Sequence, residues 1–216
     1  VLMAAVMAVC LLPTAALAAD PVPVLYIGSN TMVDLPVNGK YTWGTNDGGA
    51  GTQNADNPDV SATWYVHNDN SAYTLTLNGA NITTAFVGVN GNTYGIYAEN
   101  LDLTIALVGS STVGGAALNT ASSNSYGICV GGDLTINGAG SLTVTGGDVT
   151  AARGNCGLLC TKTMTIVSGR VTATGGSVTA TSGAAASGGS WGILAGNGLI
   201  VTGTGDVTGT GGSAAN

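Results

Sequence analysis

Charged side chains are scarce in this sequence of 216 residues, of which only 7% are Asp, Glu, Lys or Arg and only four are basic. The net charge is -7 at pH 7, and the isoelectric point is near 4.1. Proteins that bind nucleic acids or anionic membrane surfaces need clustered Lys and Arg to neutralise phosphate groups. The sequence therefore predicts neither a nucleic-acid partner nor a membrane-surface partner.

Helical periodicity is also missing, because after residue 19 no segment carries apolar residues at helical spacing. Gly is abundant instead, with 36 residues, and it is accompanied by many Thr, Val, Ser and Ala residues. Gly does not recur at every third position, which excludes a collagen triple helix. Apolar residues make up 44% of the chain and alternate with Thr, a pattern typical of short β-strands rather than of disorder.

The chain begins with an apolar run over residues 1–19 that ends in Ala16-Leu17-Ala18-Ala19. Small residues spaced like Ala16 and Ala18 are typical of a signal-peptidase site. We therefore predict a secretory signal peptide over residues 1–19 and a secreted or cell-surface protein that has no membrane segment after cleavage. The basic segment that usually precedes such a run is missing, so a retained membrane helix is the alternative.

Three cysteines remain beyond this leader, namely Cys129, Cys156 and Cys160. An odd number leaves at least one thiol free in an exported chain. Cys156 and Cys160 would lie about 13 Å apart on an extended strand, which is too far for a disulfide. Alignment of the repeats places Cys129 and Cys160 on opposite faces of neighbouring strands. We predict three small buried side chains, since a zinc site would need a fourth ligand and His67 lies in another region.

One sequence repeat occurs four times between residue 94 and the end of the chain. The four openings begin 32, 30 and 35 residues apart, and they are Tyr94-Gly95-Ile96-Tyr97, Tyr126-Gly127-Ile128-Cys129, Cys156-Gly157-Leu158-Leu159 and Trp191-Gly192-Ile193-Leu194. Each opening is followed by a second apolar segment, and in three units a Thr-containing segment then ends in Gly-Gly. Repeats of this length with three short strands each predict a solenoid.

The repeats predict an all-β fold over residues 73–216, a parallel β-helix with three faces whose aliphatic side chains point inward and whose Thr side chains point outward. Residues 20–72 do not fit the repeat but contain candidate strands, and a hairpin is predicted over residues 63–77. We interpret residues 20–72 as an N-terminal β cap over the first coil. Because the sequence stops inside a unit, we expect a C-terminal continuation or another chain at that end.

Stretches of variable length separate the units and share one phase of the repeat. They are Gly114 to Ser125, Asp148 to Asn155 and Ser177 to Ser190. Insertions at one phase project from one side of a solenoid, and that side often carries the binding surface.

Several repeat segments resemble a known family. They are Leu75-Thr76-Leu77-Asn78-Gly79-Ala80-Asn81-Ile82, Tyr94-Gly95-Ile96-Tyr97-Ala98, Leu103-Thr104-Ile105 and Leu142-Thr143-Val144-Thr145-Gly146-Gly147. Over residues 20–216 the chain resembles the secreted β-helix carbohydrate-binding domain proteins of gut and cellulolytic Firmicutes. The resemblance implies a right-handed, pectate-lyase-like β-helix, which in most members has no established catalysis and in some binds plant polysaccharide and calcium. Its motifs are strand and turn signals, so no ligand residue is carried over.

Aromatic side chains are the first candidates for a binding site, because ring faces can stack on pyranose rings. Tyr94, Tyr126 and Trp191 occupy one position of the repeat, and Cys156 interrupts the series. On coils about 4.8 Å apart they would form either a platform for sugars or a ladder packed at a corner or in the core. The ladder is favoured, because these residues share strand parity with the inward Ile residues.

Other aromatic residues are expected to be more exposed. Tyr97 has the opposite parity, so its side chain should point outward. Trp43, Trp64 and Tyr65 lie in the N-terminal region that does not follow the repeat. Tyr97, Trp43 and Trp64 therefore join the predicted carbohydrate-binding residues.

Acidic residues raise the alternatives of a metal site or a polysaccharide lyase. Asp102 and Asp133 occupy matching repeat positions, and with Glu99 nearby they are candidate calcium ligands. Thr163 and Gly198 end this acidic series, and no Lys or Arg repeats beside it to take a substrate proton. We therefore interpret these Asp residues as turn caps. We predict no catalytic residue and no cofactor other than calcium.

Columns of outward-facing Thr residues suggest ice binding as a further alternative function. The paired residues are Thr143 and Thr145, Thr172 and Thr174, and Thr208 and Thr210. They resemble the Thr-x-Thr arrays of β-solenoid antifreeze proteins, although Thr is favoured on exposed strands in any case.

Together these features predict an exported, non-enzymatic β-helix at the bacterial cell surface that binds a polysaccharide or a host or cell-wall glycan. An adhesin or structural stalk with no small ligand is the main alternative, ahead of a lyase and an ice-binding protein.

Overall fold

The structure is a computed structural model that describes residues 21–28, 32–47, 53–118, 123–150, 154–179 and 189–215. All the regular structure in these residues is β-strand. The signal peptide predicted at residues 1–19 lies outside the described residues, as do parts of the loops between the units. In the described ranges, no helix has the length and hydropathy needed to cross a membrane.

The described part of the chain forms 21 strands. Those before the first complete coil are β1 (Val24–Ile27), β2 (Tyr41–Gly44), β3 (Trp64–Asp69), β4 (Ala72–Leu77), β5 (Asn81–Ile82) and β6 (Phe86–Val87). The first two complete coils contain β7 (Thr93–Glu99), β8 (Leu103–Leu107), β9 (Ser110–Gly114), β10 (Ser125–Val130), β11 (Leu134–Gly138), β12 (Ser141–Thr145) and β13 (Val149–Thr150). The last two contain β14 (Asn155–Cys160), β15 (Thr163–Ile166), β16 (Arg170–Thr174), β17 (Val178–Thr179), β18 (Ser190–Ala195), β19 (Gly198–Val201), β20 (Asp206–Thr210) and β21 (Ala214–Ala215).

Strands at the same position of successive coils pair in parallel and build three long sheets. Sheet A has the order β1-β7-β10-β14-β18, and β6 also pairs with β7. Sheet B has the order β2-β3-β4-β8-β11-β15-β19, and sheet C has the order β5-β9-β12-β16-β20. The predicted fold class is confirmed, because the chain forms a parallel β-solenoid of about four turns. The right-handed sense stays a prediction, and the short fourth sheet β13-β17-β21 is an addition to the predicted three faces.

The strand register follows the predicted repeat alignment. Successive partners are Ile96, Ile128, Leu158 and Ile193 in sheet A, and Leu103, Leu134, Met164 and Leu199 in sheet B. In the first three coils these side chains are at most 2% exposed, whereas Leu199 in the last coil is 41% exposed. Each fully buried aliphatic side chain contributes about 1.5–3 kcal/mol, so stacking of one coil on the next supplies most of the stabilisation.

Antiparallel strands cover the first coil on sheets A and B. The hairpin of β3 and β4 turns at Asn70 and Ser71, whose φ angles of 51° and 68° suit a two-residue hairpin loop. Strand β2 pairs with β3, while β1 and β6 both pair with β7. These pairs occupy backbone groups that would otherwise form an open sheet edge. The predicted hairpin is confirmed.

A buried polar ladder marks the start of sheet A. Thr93, Ser125, Asn155 and Ser190 are partners in consecutive coils. Ser125 Oγ donates a hydrogen bond to the Ala116 carbonyl oxygen at 2.7 Å and accepts one from the Gly147 amide at 2.9 Å. The ladder thus satisfies the backbone at the Gly-Gly corner. Sequence reasoning missed it, because Ser, Thr and Asn are usually surface residues.

Candidate functional site: an aromatic cleft on sheet A

The Tyr94 side chain faces outward, because the next position along the strand, Gly95, is the one that faces the core. A Cβ atom on Gly95 would lie 2.7 Å from Val113 Cγ1, and the next residue, Ile96, is fully buried as well. These two consecutive inward positions interrupt the alternation of side chains, and the partner strand shares the interruption, since Tyr94 pairs with Tyr126 and Ile96 with Ile128. The Tyr94 ring therefore stacks on Tyr97, with 4.4 Å between the ring centroids. The parity argument that placed Tyr94 with the inward Ile residues is wrong.

Five aromatic rings form a stacked cluster on the outer side of sheet A. The centroid separations are 3.8 Å for Tyr26 and Phe86, 4.4 Å for Tyr94 and Tyr97, and 5.3 Å for Tyr94 and Tyr126. Phe86 and Tyr97 are also stacked, at 6.0 Å. Strands β1 and β6 bring Tyr26 and Phe86 to this place by pairing with β7. The predicted aromatic ladder is thus present between Tyr94 and Tyr126, but it lies on the outer side of sheet A rather than in the core.

The Asn92 side chain connects the aromatic cluster of its own coil to the backbone of the next coil. Asn92 Nδ2 donates a hydrogen bond to the Tyr94 hydroxyl oxygen at 3.2 Å. Asn92 Oδ1 accepts a hydrogen bond from the Asn124 backbone amide at 2.7 Å. The amide side chain of Asn92 therefore fixes the ring of its own coil and the backbone of the next.

The cluster opens into a concave site of about 210 Å³, which we call the aromatic cleft. It is lined by Tyr26, Phe86, Tyr94, Tyr97 and Glu99, together with Val24, Gly88, Val89 and Asn90. Glu99 is exposed, whereas Tyr97 is half-buried. The cleft thus combines four aromatic rings with one carboxylate, the combination of apolar walls and few polar groups that is typical of ligand sites.

Three phenols of the cluster, those of Tyr94, Tyr97 and Tyr126, have a raised pKa and are held in their protonated form. Burial and the neighbouring Glu99 carboxylate raise the pKa of Tyr97 well above its usual value of 10.0. Burial and the Cys129 thiol raise the pKa of Tyr126 to about 12. Burial likewise raises the pKa of Tyr94. At neutral pH all three hydroxyls can therefore donate hydrogen bonds.

The described Lys and Arg side chains form ion pairs with Asp residues outside the cleft. Lys40 pairs with Asp56, Lys162 Nζ lies 3.6 Å from Asp102 Oδ1, and Arg170 Nε lies 3.1 Å from Asp206 Oδ2. Across the described ranges, no ion pair involves Glu99. The Glu99 carboxylate is therefore the charged group that a ligand in the cleft would meet.

The predicted platform of Tyr94, Tyr126 and Trp191 is interrupted. Tyr94 and Tyr126 stack on each other, which leaves less of each ring face for a ligand. Cys156 is the strand partner of both Tyr126 and Trp191 and is fully buried. Trp191 is 44% exposed in the last coil. The structure thus brings Tyr94 to the cleft and leaves Trp191 apart from it.

The N-terminal tryptophans have different environments. Trp64 is only 1% exposed, and its Nε1 donates to the Asn46 carbonyl oxygen at 3.1 Å, so its predicted role in sugar stacking is wrong. Trp43 is half-buried and pairs with Tyr65 on the other side of the strand from the core. Trp64 faces inward because alternation within β3 buries every second side chain.

The acidic candidates are divided between two places. Asp102 Oδ1 accepts the Asp133 backbone amide at 2.8 Å, and Asp133 Oδ1 accepts the Thr163 backbone amide at 2.9 Å. These contacts agree with Asp residues that cap turns. Glu99 instead lines the aromatic cleft. Among the residues that the structure describes, no three His, Cys, Asp or Glu side chains form a metal-binding group, and calcium stays a sequence-based prediction.

The three cysteines are free and buried, as predicted. Burial raises the pKa of the Cys129 and Cys156 thiols to about 12 and also raises the pKa of Cys160. Thiolates are the reactive form of cysteine, so these side chains act as packing groups rather than nucleophiles.

The Thr columns on sheet C are in the predicted register and include one more row. Consecutive partners are Thr112, Thr143, Thr172 and Thr208, with Thr145, Thr174 and Thr210 as the second column. A regular array of this kind is what strand alternation produces on any solvent-facing side of a solenoid.

Comparison with known proteins adds no assignment, since no family model matches the chain and searches of curated proteins and of solved structures give no significant match. The residues that sequence reasoning missed are Tyr26 and Phe86. Both belong to strands outside the repeat, and their antiparallel pairing with β7 left no periodic signal.

Proposed function

We propose that this chain is an exported, non-catalytic recognition module that binds polysaccharide, and that the aromatic cleft holds one sugar unit. The observation that carries the proposal is a concavity of about 210 Å³ with four aromatic rings and a carboxylate in its lining. Pockets for drug-sized ligands measure roughly 300–1,000 Å³, so this cleft suits a single pyranose ring.

The lining offers both kinds of contact that a sugar needs. Aromatic rings bury the C–H face of a pyranose, and each such contact between rings and an apolar group contributes about 0.5–1.5 kcal/mol. The Glu99 carboxylate can accept hydrogen bonds from sugar hydroxyls, and the Asn90 side-chain amide can both donate and accept them. The cleft opens on the outer side of sheet A, where a polymer can extend beyond the bound unit.

A structural stalk is the second candidate. The observation that favours it is the use of ring faces for stacking between Tyr94 and Tyr126, which stabilises neighbouring coils without any ligand.

A glycan array probed with the mature chain, with and without calcium, separates the two candidates. Binding to a polysaccharide is then measured by titration for Tyr97→Leu, which removes a ring from the cleft but keeps an apolar side chain. We expect the affinity to fall about two- to twelvefold, which corresponds to the loss of one ring contact of about 0.5–1.5 kcal/mol. Tyr65→Leu is the matched control, because Tyr65 is also half-buried but lies on sheet B.

The proposal fails if the wild-type chain binds no glycan, and the stalk is then preferred. It also fails at this site if Tyr65→Leu weakens binding as much as Tyr97→Leu. The thermal unfolding midpoint of each variant shows whether the coil itself has been disturbed.

A further inference from the structure

We infer that the aromatic cleft selects a ligand that carries an ammonium group. This inference rests on the proposed binding function and names the chemical class that the same site recognises. Three observations carry it: the unneutralised carboxylate of Glu99, the aromatic lining, and the distribution of basic side chains over the described residues.

The first argument is the charge of the cleft. Among the described residues, Glu99 is the one carboxylate in the lining of the cleft, and each described Lys or Arg residue is paired with an Asp residue elsewhere. A cation placed beside Glu99 therefore gains an attraction that no described basic side chain there already provides, although the Tyr97 hydroxyl hydrogen-bonds the carboxylate. Because Glu99 is exposed, this gain falls as the salt concentration rises.

The second argument is the aromatic lining. The face of an aromatic ring carries negative potential and attracts a cation that lies within about 6 Å of the ring centroid. Tyr26 stacks on Phe86 and Tyr94 stacks on Tyr97, so an occupant of the cleft of about 210 Å³ meets the edges and the remaining open faces of several rings at once. Rings and a carboxylate together recognise ammonium groups, since the rings contact the carbon substituents and the carboxylate balances the charge.

The same features discriminate against acidic ligands. A uronate in the cleft would place its carboxylate near Glu99, with no basic partner in the lining to offset the repulsion. The net charge of -7 adds a weaker, longer-range repulsion. The cleft therefore favours a cationic sugar over a neutral one and a neutral sugar over an anionic one.

An ammonium group can come from an amino sugar in a polysaccharide or from a choline-type substituent. Three β-1,4-linked oligomers of equal length separate charge from sugar shape, because they differ only at one carbon of each unit: a glucosamine oligomer, its N-acetylated form and a neutral glucose oligomer. Choline chloride tests the quaternary ammonium group without a sugar. Binding of each probe to the full chain is measured by isothermal titration calorimetry at low and at physiological salt, at a mildly acidic pH at which the amines of the glucosamine oligomer are protonated.

We expect the glucosamine oligomer to bind about tenfold more tightly than the acetylated and the neutral oligomers. Glu99→Gln should remove most of this preference, because the amide keeps the size of the side chain but loses its charge. Asp69→Asn is the matched control, because it removes one exposed negative charge from the β3–β4 hairpin rather than from the cleft, and it should keep the preference.

The outcomes separate this inference from the proposed function. Equal affinity for the three oligomers, or an equal loss of preference in Asp69→Asn, overturns the ammonium inference and leaves polysaccharide binding intact. Binding of choline that depends on Glu99, without binding of any oligomer, supports the ammonium site and overturns polysaccharide recognition. Absence of binding to all four probes overturns the inference, and the glycan array then decides the proposed function alone.

Discussion

The glycine after each opening aromatic residue determines which way that aromatic residue faces. Gly127 points inward, where a Cβ atom would meet Val144 Cγ1 and lie 2.7 Å from the Gly157 carbonyl oxygen. Ile128 beside it is also buried. This interruption of the alternation turns Tyr126 outward, next to the ring of Tyr94. A residue without a side chain thus controls the position of the largest side chains on sheet A.

The first prediction concerns this glycine. Gly127→Ala should destabilise the chain by about 1–3 kcal/mol, because the backbone and core atoms that a Cβ would meet must move. Gly114→Ala is the control, since the nearest atom there is Thr145 Oγ1 at 3.4 Å, an ordinary contact. The midpoints of urea unfolding, followed by circular dichroism, compare the two variants. Equal midpoints would show that the coil accommodates the methyl group.

At this scale the sequence predicted the inward Leu and Ile residues well, because strand alternation and burial produce the same pattern in every unit. It failed at Tyr94, because Gly95 and Ile96 are two consecutive inward positions and break the strict alternation on which the prediction depended. The Gly itself was visible in the repeat. Its meaning was not, since Gly is equally common at corners of a solenoid.

At the scale of elements, the β3–β4 hairpin joins the irregular N-terminal strands to the first coil. Strand β4 pairs in parallel with β8, while β3 pairs antiparallel with β4 and β2. Trp64 on β3 is packed in the same core cluster as Leu75 and Ile105, which lie on β4 and β8. The hairpin therefore extends the core of the solenoid beyond its first coil.

The second prediction tests this role of the hairpin. Trp64→Ala should cost about 3–5 kcal/mol, because it leaves a large cavity in the core. Trp43→Ala removes the same side chain from a half-buried position on the outer side of sheet B and should cost much less. Differential scanning calorimetry of both variants measures the difference. Similar melting temperatures would mean that the hairpin packs independently of the coils.

The candidate site was predictable only in part at this scale. Tyr94, Tyr97 and Glu99 lie in a repeat strand, so their neighbourhood followed from the sequence. Tyr26 and Phe86 reach the site through β1 and β6, whose choice of partner depends on tertiary contacts rather than on local pattern. The short length of β6, two residues, left too little sequence for a strand to be recognised.

At the scale of the whole molecule, the two ends of the described solenoid differ. The first coil is covered by antiparallel strands on sheets A and B, whereas β18, β19 and β20 are the outermost described strands of their sheets. The last coil also exposes apolar side chains, with Leu199 at 41% and Ile200 at 48%. Exposed strand edges with apolar side chains promote association between chains.

The third prediction concerns this end of the 216-residue chain. The isolated chain should associate as its concentration rises, and Ile200→Lys should reduce the association, because a charge on an edge strand opposes edge pairing. Thr104→Lys is the control, since it places the same charge on the central strand β8 of the same sheet. Sedimentation velocity over a range of concentrations measures both variants. If both substitutions reduced association equally, the reduction would come from the change in net charge alone.

The stacking of the coils also bears on how the chain reaches its fold. Each coil pairs with one that precedes it by about 30 residues, as Tyr126 pairs with Tyr94 after 32 residues. A ribosome releases the covered N-terminal end first, so every later coil emerges beside an edge that is already formed. Growth is then vectorial, with the hairpin as the nucleus and one loop closure for each added coil. Amide hydrogen exchange should accordingly be slowest in β4 and β8 and fastest in β19 and β20.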